Sequence, residues 1–320
     1  MPLNNSSKKR EILRRLEFGD ISIIKAFELL KEQEVSKEEK KIEKLEKDPI
    51  EEIVKELNTM IGLNNIKNLV KQLRAFVSIQ KEREKQQLKV DSLVMHMIFK
   101  GNPGTGKTTV ARILARLFKE LGLLDKGHLK EVERADLVGE YIGHTAQKTR
   151  KMVESALGGI LFIDEAYALA RGGNRDFGKE AIDTLVKAME DNRENLIVIL
   201  AGYPKEMDYF LQTNPGLNSR FPIQVDFEDY TLEELIEIGN LMVKEREYTF
   251  SKGAEAKLYS VLSKMRQGAG AEEGNARTVR NLIEESIRNQ AIRLVSKEKI
   301  TKKELMTITR EDLPKYQIDS

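Results

Sequence analysis

The stretch "GNPGTGKTT", residues 101–109, carries the spacing G-x-x-x-x-G-K-[ST] from Gly101 to Thr108. That spacing suits one chemistry, the holding of a polyphosphate. Glycines let a loop running through Asn102, Pro103, Gly104, Thr105 and Gly106 close its backbone N–H groups around phosphate oxygens. The amphipathic helix that follows adds the favourable end of its dipole. Lys107 would reach the β- and γ-phosphates, Thr108 would offer a hydroxyl to Mg²⁺, and Thr109 continues the same turn.

A second group lies downstream. "GILFIDEA" places Asp164 and Glu165 where an apolar run ends. Two carboxylates there cost folding energy unless a cation or hydrogen bonds compensate. Asp164 is read as the acid facing Mg²⁺ through water, and Glu165 as the group that polarises an attacking water. A helix N-terminus that favours acids is the plainer alternative. Together the two groups imply hydrolysis of a nucleoside triphosphate with Mg²⁺ as its metal. They do not choose between kinase, helicase and motor, and no N-K-x-D follows to read guanine.

The elements that must position these residues are legible in the hydrophobic pattern. "VMHMIF", "GILFID" and "LIVILAG" are short apolar runs of the kind that form buried strands. Between them Val110, Ile113, Leu114, Leu117 and Leu121 share one helix face, and Gly122 ends it; Ala181, Ile182, Leu185, Val186 and Met189 share another. Apolar strands alternating with amphipathic helices imply an α/β fold with a parallel sheet covered on both sides. After "PIQVDF" the strand signals stop, and Thr231 with Glu234 forms a capping box that opens an all-helical region. The expected organisation is a helical extension with a charged linker over 1–50, an α/β nucleotide-binding domain over 51–228 and a helical lid over 229–320. A short helical pair is expected over residues 8–31.

Composition narrows the chemistry further. The 320 residues include no Cys, which excludes disulfides, cysteine nucleophiles and cysteine zinc sites. His96, His128 and His144 are scattered, which argues against a histidine metal site. Lys+Arg 54 against Asp+Glu 52 leaves a net charge of +2, too balanced to point to nucleic acid. No apolar run is long enough to span a bilayer, and the first residues lack an apolar leader core. The expectation is a cytoplasmic protein without a membrane segment.

With the helical tail and "NPGLNSRF", the sequence resembles the AAA+ ATPases from about Leu57 onward. The segments "ADLVGEYIGHTAQKT", "GGILFIDEAYALARGG" and "DFGKEAIDTLVKAMED" are similar to the subgroup that holds red-type Rubisco activases and a spore-formation protein. The resemblance implies a P-loop module with five parallel strands in the order 5-1-4-3-2, a helical lid and a homo-hexameric ring with ATP between subunits. It implies a protein substrate that the ring remodels or threads; an ATP-dependent scaffold is the alternative. Ile61 and Gly62 in "MIGL" match the segment beside adenine, Arg220 the arginine finger and Arg277 in "GNAR" the sensor arginine of the lid. Ala201, Gly202 and Tyr203 stand where many members carry a polar sensor, so Tyr203 is left outside the catalytic set, which is Glu165, Lys107 and Arg220.

"VGEYIGHT", residues 138–145, could be a buried turn. On the resemblance it is a channel loop, with Tyr141 and Ile142 as grip, Gly143 as the sharp turn, and His144 and Thr145 as loop exit and helix cap. Arg171 and Arg175 fall where a second channel loop is expected, or in an ordinary solvated loop. "EFGDISIIKAFELLKE" resembles small helical-hairpin modules and leaves open an adaptor, a ring-stabilising arm or a passive extension.

Overall fold

The computed structural model describes residues 48–90, 94–141, 143–171, 177–268 and 274–314. The expected helical pair over 8–31, Ile142 and Arg175 lie outside the described residues. The chain divides into two units, Met1–Glu56 and Leu57–Ser320. Helix α1 (Pro49–Thr59) begins at a proline, whose fixed φ suits a first helical turn. Helix α2 (Asn64–Lys85) buries Ile66, Val70, Leu73 and Val77, a stripe at helical spacing.

Five strands form one parallel sheet in the order β2-β3-β4-β1-β5. They are β1 (Met97–Gly101), β2 (Leu129–Val132), β3 (Ile160–Ile163), β4 (Ile197–Gly202) and β5 (Ile223–Phe227). Read from the other edge this is 5-1-4-3-2, the order the resemblance implies. Strand β1 lies in the middle, with Met97 opposite Ile199 of β4 on one side and Ile223 of β5 on the other. Every residue of β3 and β4 is buried, because helices cover both faces.

The pleat separates the side chains into two cores. Ile98, Leu161, Ile163, Val198 and Leu200 face helices α5 (His144–Ala156), α6 (Gly178–Asp191) and α7 (Pro204–Thr213), where Val153, Leu185, Met189 and Phe210 join them. The alternate residues include Phe99, whose ring lies 4.9 Å from Phe227 of β5. Helix α3 (Lys107–Glu120) packs on β2 and β3 and buries Val110, Leu114, Leu117 and Phe118. Each fully buried side chain of this size contributes about 2–3 kcal/mol.

His96, just before β1, belongs to this core. It is 4% exposed, and its Nδ1 accepts the Val198 N–H at 3.0 Å. Burial lowers its pKa to about 4. It is a neutral structural residue whose ring is tilted against that of Phe221, with centroids 5.8 Å apart.

The region after β5 holds helices α9 (Leu232–Glu245), α10 (Lys252–Gly268), α11 (Asn275–Val295) and α12 (Lys302–Met306). The capping box at its start forms as expected, with Thr231 Oγ1 accepting from Glu234 N–H and Glu234 Oε2 accepting from Thr231 N–H. The all-helical expectation needs one correction. Thr249–Phe250 (β6) and Thr307–Ile308 (β7) pair in parallel. Each strand is two residues long, too short for any hydrophobic period to register. Leu235, Leu258, Val279, Ile283 and Ile308 make a separate core here. No helix among the described residues is long and apolar enough to cross a membrane.

Candidate functional site

The carboxyl ends of the central strands converge, as they do around ligand sites in open parallel sheets. The phosphate-type loop leaves β1. Its backbone takes the turns that only glycine takes without strain, with Gly104 at φ +75° and Gly106 at φ +97°. Gly106 caps α3 without any side-chain bond, so the first N–H groups of that 14-residue helix lack a side-chain cap. An anion is the natural partner for such an end.

Lys107 closes the loop from below. Its Nζ donates to Gly101 O at 2.7 Å and Asn102 O at 2.9 Å. Its pKa is lowered, chiefly by burial, and the Arg277 charge adds to this while Asp164 and Asp229 oppose it. A buried ammonium beside a guanidinium favours an incoming anion. Thr105 is fully buried and donates through its hydroxyl to Asn102 O at 2.8 Å.

Asp164 and Glu165 follow β3. Glu165 takes the left-handed region, φ 47° and ψ 44°, and its N–H donates to Asp164 Oδ1 at 3.0 Å. A non-glycine residue there stores on the order of 1 kcal/mol of strain, which is a mark of functional positions. A 3₁₀ turn, Ala166–Ala170, comes next. Its Tyr167 has its pKa pushed up to about 12, by burial and then by the Glu165 charge.

One cavity of about 220 Å³ collects most of the expected residues. Gly101, Pro103, Gly104, Gly106, Lys107, Thr108 and Thr109 line it from the loop, Asp164 and Glu165 from β3, and Arg277 from α11. Tyr203 lines it too, beyond Gly202, although the sequence reading set it aside. Arg280 is an addition; its place one helical turn after Arg277 was the available signal. The donor set fits a polyphosphate. Among the described residues no three His, Cys, Asp or Glu could hold a metal by themselves. Thr108 and Asp164 together fit Mg²⁺, which binds few protein groups and takes the rest of its shell from phosphate and water.

Ile61 and Gly62 do not reach that cavity. Gly62, at φ +66°, lines a second cavity with Leu63, Asp229, Tyr230 and Glu234, while Ile61 packs on the lid core. Tyr230 lines this second space and reaches the loop. Its hydroxyl donates to Thr105 O at 3.2 Å, and burial pushes its pKa up to about 12. Nothing in the sequence singled Tyr230 out.

Arg220 stands apart from both. It follows the short helix α8 (Pro215–Asn218) and donates to Gly216 O at 2.8 Å. Its Nε lies 3.4 Å from Glu190 Oε1, near enough for charge attraction but not aligned as a hydrogen bond.

The Val138–Thr145 stretch is fastened at its base and exposes Tyr141. Thr145 and Thr149 are fully buried; Thr145 Oγ1 accepts the Gly139 N–H at 2.9 Å and Thr149 donates to Leu137 O at 3.2 Å. Tyr141 is 66% exposed, with its ring edge-on to His144 at 5.5 Å. Gly143, at φ +82°, is the N-cap of α5. Thr145 is therefore not the cap expected of it; it lies inside the helix and ties the loop down. Arg171 lies with its guanidinium 4.6 Å from the Tyr167 ring centroid, a cation–π contact rather than a purely solvated charge.

Residues 97–229 match the model of the ATPase family associated with various cellular activities (AAA), and residues 231–319 match the AAA lid domain. Stage V sporulation protein K of Bacillus subtilis (strain 168) is 55% identical over 265 residues, 82% of this chain and 82% of that protein. The chloroplastic ribulose bisphosphate carboxylase/oxygenase activase of Cyanidioschyzon merolae is 44% identical over 274 residues, 84% of this chain and 92% of its own length. ESX-3 secretion system protein EccA3 of Mycolicibacterium smegmatis is 44% identical over 272 residues, 81% of this chain but 45% of that protein. Among solved structures, the FIGL-1 AAA domain in complex with ADP shares the fold, with a TM-score of 0.53 at 19% identity over 79% of this chain and 80% of its own. With its sheet order, its loop and both family models in agreement, the chain belongs to the AAA family of ATPases.

Proposed function

We propose that this chain hydrolyses ATP within a homo-hexameric ring in order to remodel or thread a protein substrate in the cytoplasm. The observation that carries the reading is the meeting of Lys107, Thr108, Asp164, Glu165 and Arg277 around one cavity. The 55% identity to stage V sporulation protein K supports a role in spore formation. The likeness to Rubisco activase supports a second substrate class, a Rubisco-like enzyme.

In this reading the loop N–H groups and Lys107 hold the phosphates, and Arg277 approaches them from the lid. Lys107 must exchange its present carbonyl partners, Gly101 and Asn102, for phosphate oxygens. Thr108 and Asp164 would hold Mg²⁺, which would supply charge neutralisation for phosphoryl transfer. Glu165 orients the attacking water and takes its proton. Arg220 serves a neighbouring subunit, where a planar guanidinium suits the spread charge of the phosphoryl group. Tyr141 offers the exposed grip, and the buried threonines beneath it transmit movement of α5 to the loop tip.

Steady-state turnover tests the reading. The wild type should release phosphate from ATP, and Glu165→Gln should bind ATP with turnover reduced about 10²–10⁴-fold. Tight ATP binding without turnover in the wild type would make the protein an ATP-dependent scaffold instead. Capture of a partner on ATP-loaded Glu165→Gln, absent without nucleotide, would identify the substrate.

A further inference from the structure

Three segments distant in sequence meet beside the phosphate loop through one carboxylate. Asp229 lies between β5 and α9. Its Oδ1 and Oδ2 accept from Asn102 Nδ2 of the loop at 3.0 and 2.9 Å. Its Oδ1 also accepts from Asn275 Nδ2, at the start of α11, at 2.7 Å. The other end of the Asn275 amide accepts the Tyr230 N–H at 3.0 Å. Alongside, Ala276 N–H donates to Gly104 O at 3.2 Å.

The geometry is specific. Asn275 is 1% exposed and sits at φ 44°, a left-handed conformation that asparagine tolerates better than most residues. The backbone of the lid end presses directly on the loop: a Cβ added at Gly104 would collide with Gly274 O and stand 2.8 Å from Arg277 N. Two amide NH₂ groups converge on one acceptor, and a carboxylate, which only accepts, matches both. An amide in its place would set its own NH₂ against one of them.

We infer that Asp229 is a positioning residue for the nucleotide site, tying the phosphate loop to the lid end that carries Arg277 so that loop and arginine meet the phosphates together. The inference rests on the assignment of Arg277 to phosphate. Asp229 lines the cavity with Gly62 and Tyr230 and not the one with Lys107, so it acts through Asn102 and Asn275. The opposing effects of Asp229 and Arg277 on the Lys107 ammonium agree with their closeness.

The test is Asp229→Asn in the full chain, with two readouts. Turnover should fall about tenfold, the loss expected for one hydrogen bond to a charged group. Added to Arg277→Ala, the same change should cost nothing more, since residues acting through one another do not add. The second readout needs no catalysis. The chain has no Cys, so cysteines placed at the exposed Glu120 on α3 and Lys264 on α10 take spin labels at those two positions alone. The distance distribution between them should widen in Asp229→Asn. An unchanged distribution overturns the tie, whatever turnover does. Losses that add fully in the double variant overturn action through Arg277. If Arg277→Ala alone leaves turnover intact, the assignment of Arg277 fails, and the distance measurement still decides whether Asp229 joins loop and lid.

Discussion

Acid should weaken this fold at a single buried histidine before it titrates the carboxylates. His96 sits at the entry to β1, the strand that carries the phosphate loop, and touches Phe221, the residue after Arg220. Its pKa is about 4 in the fold against the ordinary 6.5 of a histidine in the unfolded chain. The unfolded chain therefore binds the proton that the folded chain refuses. Stability from this residue is complete above pH 6.5 and is lost as pH falls towards 4; below that both states are protonated and the loss stops growing. The full difference is about 3 kcal/mol, of which about 2 kcal/mol falls between pH 7.5 and pH 5.

Urea unfolding at a series of pH values measures it. His96→Gln should be less stable than the wild type at pH 7.5, because the ring packing is lost. Its stability should then change less between pH 7.5 and 5, by about the 2 kcal/mol assigned to the imidazole. The depressed carboxylates Asp312 and Glu304 act in a lower window, since their stabilisation is lost only as pH falls through the carboxylate range. Parallel curves for the two proteins between pH 7.5 and 5 would refute the reasoning, and with it the reading of His96 as a neutral core group.

Three further outcomes follow from the site. Arg220→Ala should retain ATP binding and lose turnover by about 10³-fold, the scale of an arginine finger; mixing it with Lys107→Ala subunits should restore part of the activity, and no rescue in confirmed mixed rings would count against a shared site. Tyr141→Ala should leave ATP affinity unchanged and abolish coupling to substrate, whereas a collapse of ATP binding in a folded variant would remove Tyr141 from the channel. Thr145→Val should lower stability by about 1–3 kcal/mol, because the buried Gly139 N–H loses its acceptor; a change below a few tenths of a kcal/mol in chemical denaturation would contradict the fastened loop base.

What the sequence made legible follows from physical range. The loop from Gly101 to Thr109 and the pair Asp164–Glu165 are local patterns, and β1, β3 and β4 are wholly or almost wholly buried, so apolar runs betray them. Strand β2 reads "LKEV" and buries only Val132, because an edge strand near solvent has no such run. Strands β6 and β7 are two residues each and have no period at all. The cap falls at Gly143 and not at Thr145, a residue type that often caps, because the Thr145 hydroxyl is committed to Gly139. Tyr230, Asp229 and Asn275 were missed for a different reason. Their bonds join positions 45 or more apart in sequence, and only the fold brings them together.

The placement of Arg220 bears on how many subunits the chemistry needs. The cavity with Lys107 and Thr108 has its cations already: Lys107 from the loop, Arg277 and Arg280 from the lid. Arg220 is held by Gly216 and Glu190 on another part of the α/β unit, and it does not line that cavity. A further opening of about 690 Å³ shares walls with that cavity, bounded by Asp164, Glu165 and Arg277 together with Glu133, Arg134, Glu140 and Lys148. Three walls are shared, so a group entering this opening stands beside Glu165 without displacing the loop. Its four carboxylates against Arg134, Lys148 and Arg277 leave one net negative charge, which leans towards a cation, and a cavity of this size accepts a whole side chain. On the proposed reading that cation is Arg220 of a neighbour, and turnover then depends on contact between subunits. The dilution behaviour of the ATPase distinguishes this from a self-sufficient monomer: specific activity should fall as the protein is diluted, while ATP binding by each chain should not.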